Sequence, residues 1–190
     1  MIIPLRIAKT VPISGRTKLR TNTYGTRIAL HKTKNNIDIN CRKCGVQIET
    51  LEHILGLCIH TKNKRIRRHH EICDLIARNV SKEHATFREP EIEVNGDRCK
   101  LGMVIKDHDK VYSDVYDVTV RYENNDSLNK AYKEKEIKYK DTAETFKRDL
   151  KAKEGRVLPV IGSRGSMSRA TIENLKVLGV QTKHALWRRS

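Results

Sequence analysis

The feature that most limits what this chain can fold into is Cys41-Arg-Lys-Cys44-Gly45, followed by His53 and Cys58. Its spacing, C-x2-C-x8-H-x4-C, puts three thiols and one imidazole within eighteen residues. Structural zinc takes four such ligands in a closed tetrahedron. A glycine directly after the second cysteine relieves crowding where backbone amides bend toward the thiolates. His53 and Cys58 can share one side of a short helix starting near Glu49-Thr50-Leu51. The alternative is a set of small buried thiols beside a surface histidine. Four ligands at workable spacing favour a CCHC zinc knuckle over residues 41–62, with Zn2+ as a structural cofactor. His60 lies outside the spacing and is a substitute ligand at most.

The charge distribution says what such a knuckle would meet. Residues 1–70 carry 15 Lys/Arg against 3 Asp/Glu, residues 71–150 carry 15 against 18, and residues 151–190 carry 9 against 2. A basic front with a second basic end is the footprint of a polyanion binder, whereas a merely solvated surface mixes its signs. Arg20, Arg27, Arg42, Lys43, Arg65, Arg67 and Arg68, before, within and after the knuckle, are the candidate nucleic-acid contacts. No run of 18 apolar residues occurs, and Met1 to Leu5 is too short for a signal peptide or a membrane span, so a membrane partner is not expected. Cys73 and Cys99 are left over from the knuckle, an arrangement that suits a reducing compartment.

Residues 1–40 read as a basic linker, the tail of an upstream domain, with Asn22 and Gly25 interrupting any long helix and Asn35-Asn36 forming a polar link. After the knuckle, Ile66, His69, His70, Cys73, Ile76 and Ala77 recur at helical spacing, predicting an amphipathic helix that ends by about Ser81. His69 and His70 are expected to pack or to bind phosphate rather than metal.

Residues 63–184 read as one α/β domain. The pattern predicts a strand over 91–94, a hairpin at Asn95-Gly96, a strand over 98–105, a polar turn over 106–110 and a strand over 111–120. A long helix over 127–151 follows, then a strand over 156–161 and a helix over 168–178 ended by Gly179. A three-strand meander, a helix and a returning fourth strand make a mixed sheet with flanking helices. That order is the core order of PD-(D/E)xK restriction-endonuclease-like folds.

Two residues give that order a chemistry. Asp117 shares a strand face with Val111, Ser113, Val115 and Thr119. Lys135 stands in the middle of the helix stripe formed by Leu128, Ala131, Tyr132, Tyr139, Ala143, Phe146 and Leu150, where an apolar residue is expected. A lysine there must snorkel or find a carboxylate on the adjacent strand. A structural ion pair and a nuclease pair, in which the carboxylate holds Mg2+ and the lysine orients the attacking water, both fit.

Leu19-Arg-Thr-Asn-Thr-Tyr24-Gly-Thr-Arg27, the Cys41/Cys44/His53/Cys58 set and Arg65-Ile-Arg-Arg-His69-His-Glu-Ile72 occur in that order. Together they resemble the C-terminal end of the reverse transcriptase polyprotein of R-two-clade site-specific non-LTR retrotransposons, over nearly the whole chain. The resemblance implies a zinc knuckle followed by a restriction-like endonuclease that nicks target DNA, in ribosomal RNA genes, to prime reverse transcription. It also implies Mg2+ as the nuclease cofactor, element RNA and an upstream reverse transcriptase domain as further partners, and a nuclear location. The family's second acid falls on Asp117 and its displaced lysine on Lys135, as catalytic residues.

One position departs from the family. Where its strand begins Lys-Pro-Asp, this chain has Lys100-Leu101-Gly102, so Gly102 is a degenerate catalytic position without a side-chain oxygen. Glu89 or Glu71 is the candidate upstream carboxylate. The expectation is an endonuclease end impaired in cleavage, the alternative a non-catalytic zinc-dependent DNA- or RNA-binding module. No polymerase motif lies in these residues.

Overall fold

A computed structural model describes residues 13–34, 36–80, 84–89, 91–94, 97–100, 102–107, 113–137, 154–155, 160–178 and 180. The chain opens with α1 (Ile13–Arg20) and α2 (Arg27–His31). Asn22, in the left-handed region at φ 56°, lies between them, a conformation Asn tolerates better than most residues. Thr26 starts α2 by accepting the Ala29 N–H on its side chain.

Within the stretch expected as a basic linker, residues 1–40, Thr26, Arg27, Asp38 and Asn40 make defined contacts. Thr26 is buried, the Arg27 amide donates to the Glu49 carboxylate, and the Arg27 guanidinium donates to Asp38 and to the Asn40 carbonyl. The buried Glu49 carboxylate gives this stretch its anchor on the knuckle.

The knuckle is a tight turn followed by a π-helical turn, His53–Leu57, and a 3-10 turn, Ile59–Thr61. Ligands five apart lie about 140° apart around an α-helix. The wider π turn, closed by the Cys58 N–H to the His53 carbonyl at 2.7 Å, brings them to the same side. Next comes α3 (Lys62–Val80), which buries Ile72, Cys73, Ile76 and Val80. The expected stripe therefore starts later than its spacing suggested: Ile66 and His70 are exposed, because the first half of α3 lies along the knuckle rather than the sheet.

The sheet region holds β1 (His84–Arg88), β2 (Glu91–Val94), β3 (Asp97–Lys100), β4 (Met103–Asp107), β5 (Ser113–Tyr116) and β6 (Thr119–Arg121). A helix follows, α4, described over 127–137. Then come β7 (Glu154–Gly155), β8 (Val160–Gly162) and α5 (Arg169–Val177). The main sheet runs β1-β4-β5-β7, antiparallel except for the parallel β5–β7 pair, while β6 and β8 form a second, parallel pair. Parallel pairing needs a crossover, and the segment containing α4 provides it.

Three sequence expectations are corrected. The strand predicted over 98–105 is two strands, because β3 pairs only with β2 while β4 turns into the main sheet. The strand predicted over 111–120 breaks at Asp117-Val118, where the chain passes from one sheet to the next. Strand β1 was not anticipated. Both ends of the predicted hairpin pair as expected, Val94 with Asp97, although Asn95-Gly96 lies outside the described residues. So do Asn35, residues 108–110, 138–151 and 156–159, and Gly179.

One core holds these layers together: Ile72, Cys73, Ile76 and Val80 of α3, Met103 and Ile105 of β4, Val118, Ile161, and Leu175, Leu178 and Val180 around α5. Ser168 caps α5 by accepting the Thr171 amide. Among the described residues no helix is long and apolar enough to cross a membrane.

Candidate metal centre and strand-end ion pair

Cys41, Cys44, His53 and Cys58 offer ligand atoms that all lie within 4.8 Å of one another, and the group could hold a metal ion. Tetrahedral zinc with bonds of about 2.3 Å to sulfur has sulfur–sulfur edges of about 3.8 Å. Cys41 Sγ lies 4.0 Å from Cys58 Sγ, and Cys44 Sγ lies 3.3 Å from His53 Nε2, so the donor set fits such an ion. Gly45 adopts φ +70° and donates its amide to the Cys41 carbonyl, closing the first loop in a conformation that favours glycine. His60 is not in the group.

The thiols are not equivalent. Backbone amides of Gln47 and Val46 pull the Cys44 thiol down to about 6, while burial pushes Cys58 up. Thiols this close resist carrying charge together, and a bound cation is what lets all of them ionise.

Glu49 organises the surroundings. Its buried carboxylate accepts from the Arg42 amide at 2.8 Å, from Arg42 Nε at 3.0 Å and from the Arg27 amide at 3.0 Å, and it pairs with Arg42 Nη2. Those bonds, led by the Arg42 side chain, hold the carboxyl down at about 2. A buried acid four residues before His53 carries no sequence signal of its own, because only the fold shows that Arg42 and α2 converge on it.

The seven basic candidates divide into three groups. Arg27 and Arg42 are engaged inside the knuckle, as above. Arg65 donates to the Gly56 and Cys58 carbonyls and Arg68 to the Leu55 carbonyl, so both grip the π-helical turn. Arg20 and Lys43 are exposed, and so is Arg67, 3.5 Å from Glu71.

In the sheet region, Lys135 Nζ donates to Asp117 Oδ2, with the two side chains 23% and 13% exposed. The partner expected for a lysine in the helix stripe is therefore a carboxylate, placed at the break between β5 and β6 rather than within a strand. Gly102 and Asp117 sit one position beyond the paired residues Met103 and Tyr116, at the same end of the strands. On the other side, the Glu89 amide donates to the Gly102 carbonyl at 3.2 Å. Glu89 is in the left-handed region at φ 47°, and its Oε1 lies 3.5 Å from His70 Nε2. Glu71 is on the exposed side of α3 with Arg67. His69 donates from Nε2 to the Val118 carbonyl at 3.1 Å, where β5 and β6 part.

No family model and no curated protein matches the chain. Among solved structures, the chain is similar to protein VC1899 from Vibrio cholerae, at 12% identity and a TM-score of 0.29. The match covers 75% of this chain and 34% of that one, so the chain corresponds to about a third of its length.

Proposed function

We propose that this chain is the nucleic-acid-binding endonuclease end of a retrotransposon reverse transcriptase polyprotein, with cleavage impaired in this copy. The observation that carries it is the Asp117–Lys135 pair at the strand ends beside Gly102. A carboxylate and a lysine at the end of a mixed sheet are the parts a restriction-like nuclease uses, and Gly102 stands where that pattern needs a second carboxylate. Two oxygens from two strands hold Mg2+ far better than one. The residues present do not supply the family's full set, so no cleavage step is assigned to them.

Zn2+ suits the four-residue group by ligand type and spacing, and its role there is structural: it ties the loop at Cys41 to the π turn at Cys58. The basic surface around it would meet DNA, with element RNA and the upstream polymerase domain as further partners of the assembled polyprotein. The second reading is a zinc-dependent DNA- or RNA-binding module with the α/β domain as scaffold, favoured by Gly102 itself.

A nicking assay on supercoiled plasmid with Mg2+ separates these readings. The expected result is little nicking by the natural chain, activity in Gly102→Asp, and loss of that activity when Asp117→Ala is added. Silence from Gly102→Asp would leave the binding module. Nicking by the natural chain that Asp117→Ala abolishes would show that another carboxylate completes the site. Glu89→Gln would then identify it, since Glu89 is bonded to Gly102 through the backbone.

A further inference from the structure

A cleft of about 330 Å3 opens between the π-helical turn and the first half of α3, lined by Leu55, Gly56, Lys62, Arg65, Arg68 and His69 among others. Its chemistry is unbalanced. Arg65 and Arg68 are half-buried, and their acceptors are the uncharged carbonyls of residues 55, 56 and 58. The Nε–H of each is shut off from solvent and has no acceptor among the described residues. Among the described residues neither guanidinium forms an ion pair. Glu123, the acid whose charge reaches Arg68, is already engaged by the Arg164 and Ser166 amides and by the side chains of both residues. Burial lowers the Arg68 pKa for the same reason. No acidic residue stands in the first turn of α3, and exposed Lys62 adds a third positive charge at the rim.

Cations drawn out of water without a counter-charge are costly, and an anion that reaches them offsets the cost. We infer that this cleft is a phosphate site that seats one backbone phosphate of a bound nucleic acid between the knuckle and α3. Carbonyl bonds fix the two guanidinium planes in advance, so little ordering is needed when the phosphate arrives. The inference rests on the nucleic-acid-binding part of the proposed function and adds the place where the backbone is gripped. It also gives the knuckle a mechanical role: the π turn that carries two metal ligands is the same turn that orients both arginines.

Two measurements on the zinc-loaded full chain test this. The first is the salt dependence of binding to a short labelled duplex, for the natural chain, Lys62→Gln and Arg68→Gln. Each phosphate contact contributes about 0.9 to the slope of log K against log salt, so each variant is expected to flatten the slope by up to about one. Among the described residues the Lys62 side chain makes no hydrogen bond or ion pair, so the Lys62→Gln result stands even if Arg68→Gln fails to fold. The second is titration of inorganic phosphate, followed through the Arg65 and Arg68 Nε–H resonances, which are expected to shift. Shifted resonances with unchanged slopes would mean a site for free phosphate and overturn the backbone assignment. Unchanged slopes and unshifted resonances would overturn the site altogether, leaving the arginines as clamps on the π turn. If the natural chain binds no duplex or single strand at low salt, the nucleic-acid reading fails first, and this inference with it.

Discussion

Arg42 and Glu49 form the central contact of the knuckle. The guanidinium, 49% exposed, closes on a carboxylate that is only 2% exposed and also receives two backbone amides. This pair joins the Cys41–Cys44 loop to the start of α2, so one acid organises two segments.

Replacing Glu49 by Gln should cost about 2 kcal/mol, the range for hydrogen bonds to a charged group, in denaturant unfolding of the zinc-loaded protein. The pH dependence has a definite sign. A carboxyl held down at about 2, against an ordinary 4.5, contributes stability that is fully present above pH 4.5 and disappears as pH falls through 2. The advantage of the natural chain over Glu49→Gln should therefore be constant at neutral pH and shrink across that window. An advantage independent of pH would exclude the carboxylate as its source.

Metal removal should loosen the first half of the chain. At free zinc about a hundredfold above Kd, binding adds roughly 2.7 kcal/mol, which chelation would abolish as a fall in Tm. Cobalt substitution offers a direct check: a tetrahedral spectrum with thiolate charge transfer is expected, and it should be lost in Cys41→Ser.

Gly162 lies against Glu123, and a Cβ added there would overlap the Glu123 carboxyl. The carboxyl cannot easily step aside, because Arg164 and Ser166 hold it. Gly162→Ala should destabilise by about 1–3 kcal/mol, as overpacking does. In a Glu123→Ala background most of that cost should vanish, and a double-mutant cycle measures the coupling.

Lys135→Met should cost about 1–3 kcal/mol by removing the ammonium partner of the largely buried Asp117. Asp117→Asn combined with Lys135→Met should recover part of the loss. Thermal unfolding of Lys135→Met, Asp117→Asn and the double variant decides it, and additive effects would mean that the two side chains are not coupled.

Cys73 should resist alkylation at neutral pH, because burial pushes its thiol up to about 11 and the thiolate is the reacting form. Mass spectrometry of the folded protein after brief iodoacetamide treatment reads this directly. Rapid labelling of Cys73 would show that α3 opens more readily than its packing implies.

Much of the centre and the order of elements is local information, and the sequence by itself determined them. Ligand type and spacing mark Cys41, Cys44, His53 and Cys58 because a metal site is written in the few residues that bind it. Apolar periodicity and cap residues mark α3 and α5, and the lone lysine in an apolar stripe marks Lys135. Tertiary structure decided what depends on partners far along the chain. The division into β3 and β4 and the strand break at 117–118 follow from which neighbour each strand pairs with, and runs of β-forming residues look continuous until that neighbour is known. The roles of the basic residues were hidden for the same reason. A positive charge reads the same in sequence whether it faces solvent, as Lys43 does, or closes on a buried carboxylate, as Arg42 does. Electrostatic and packing partners are chosen in space, so composition could place the charge but only the fold could say which charges remain available to a ligand.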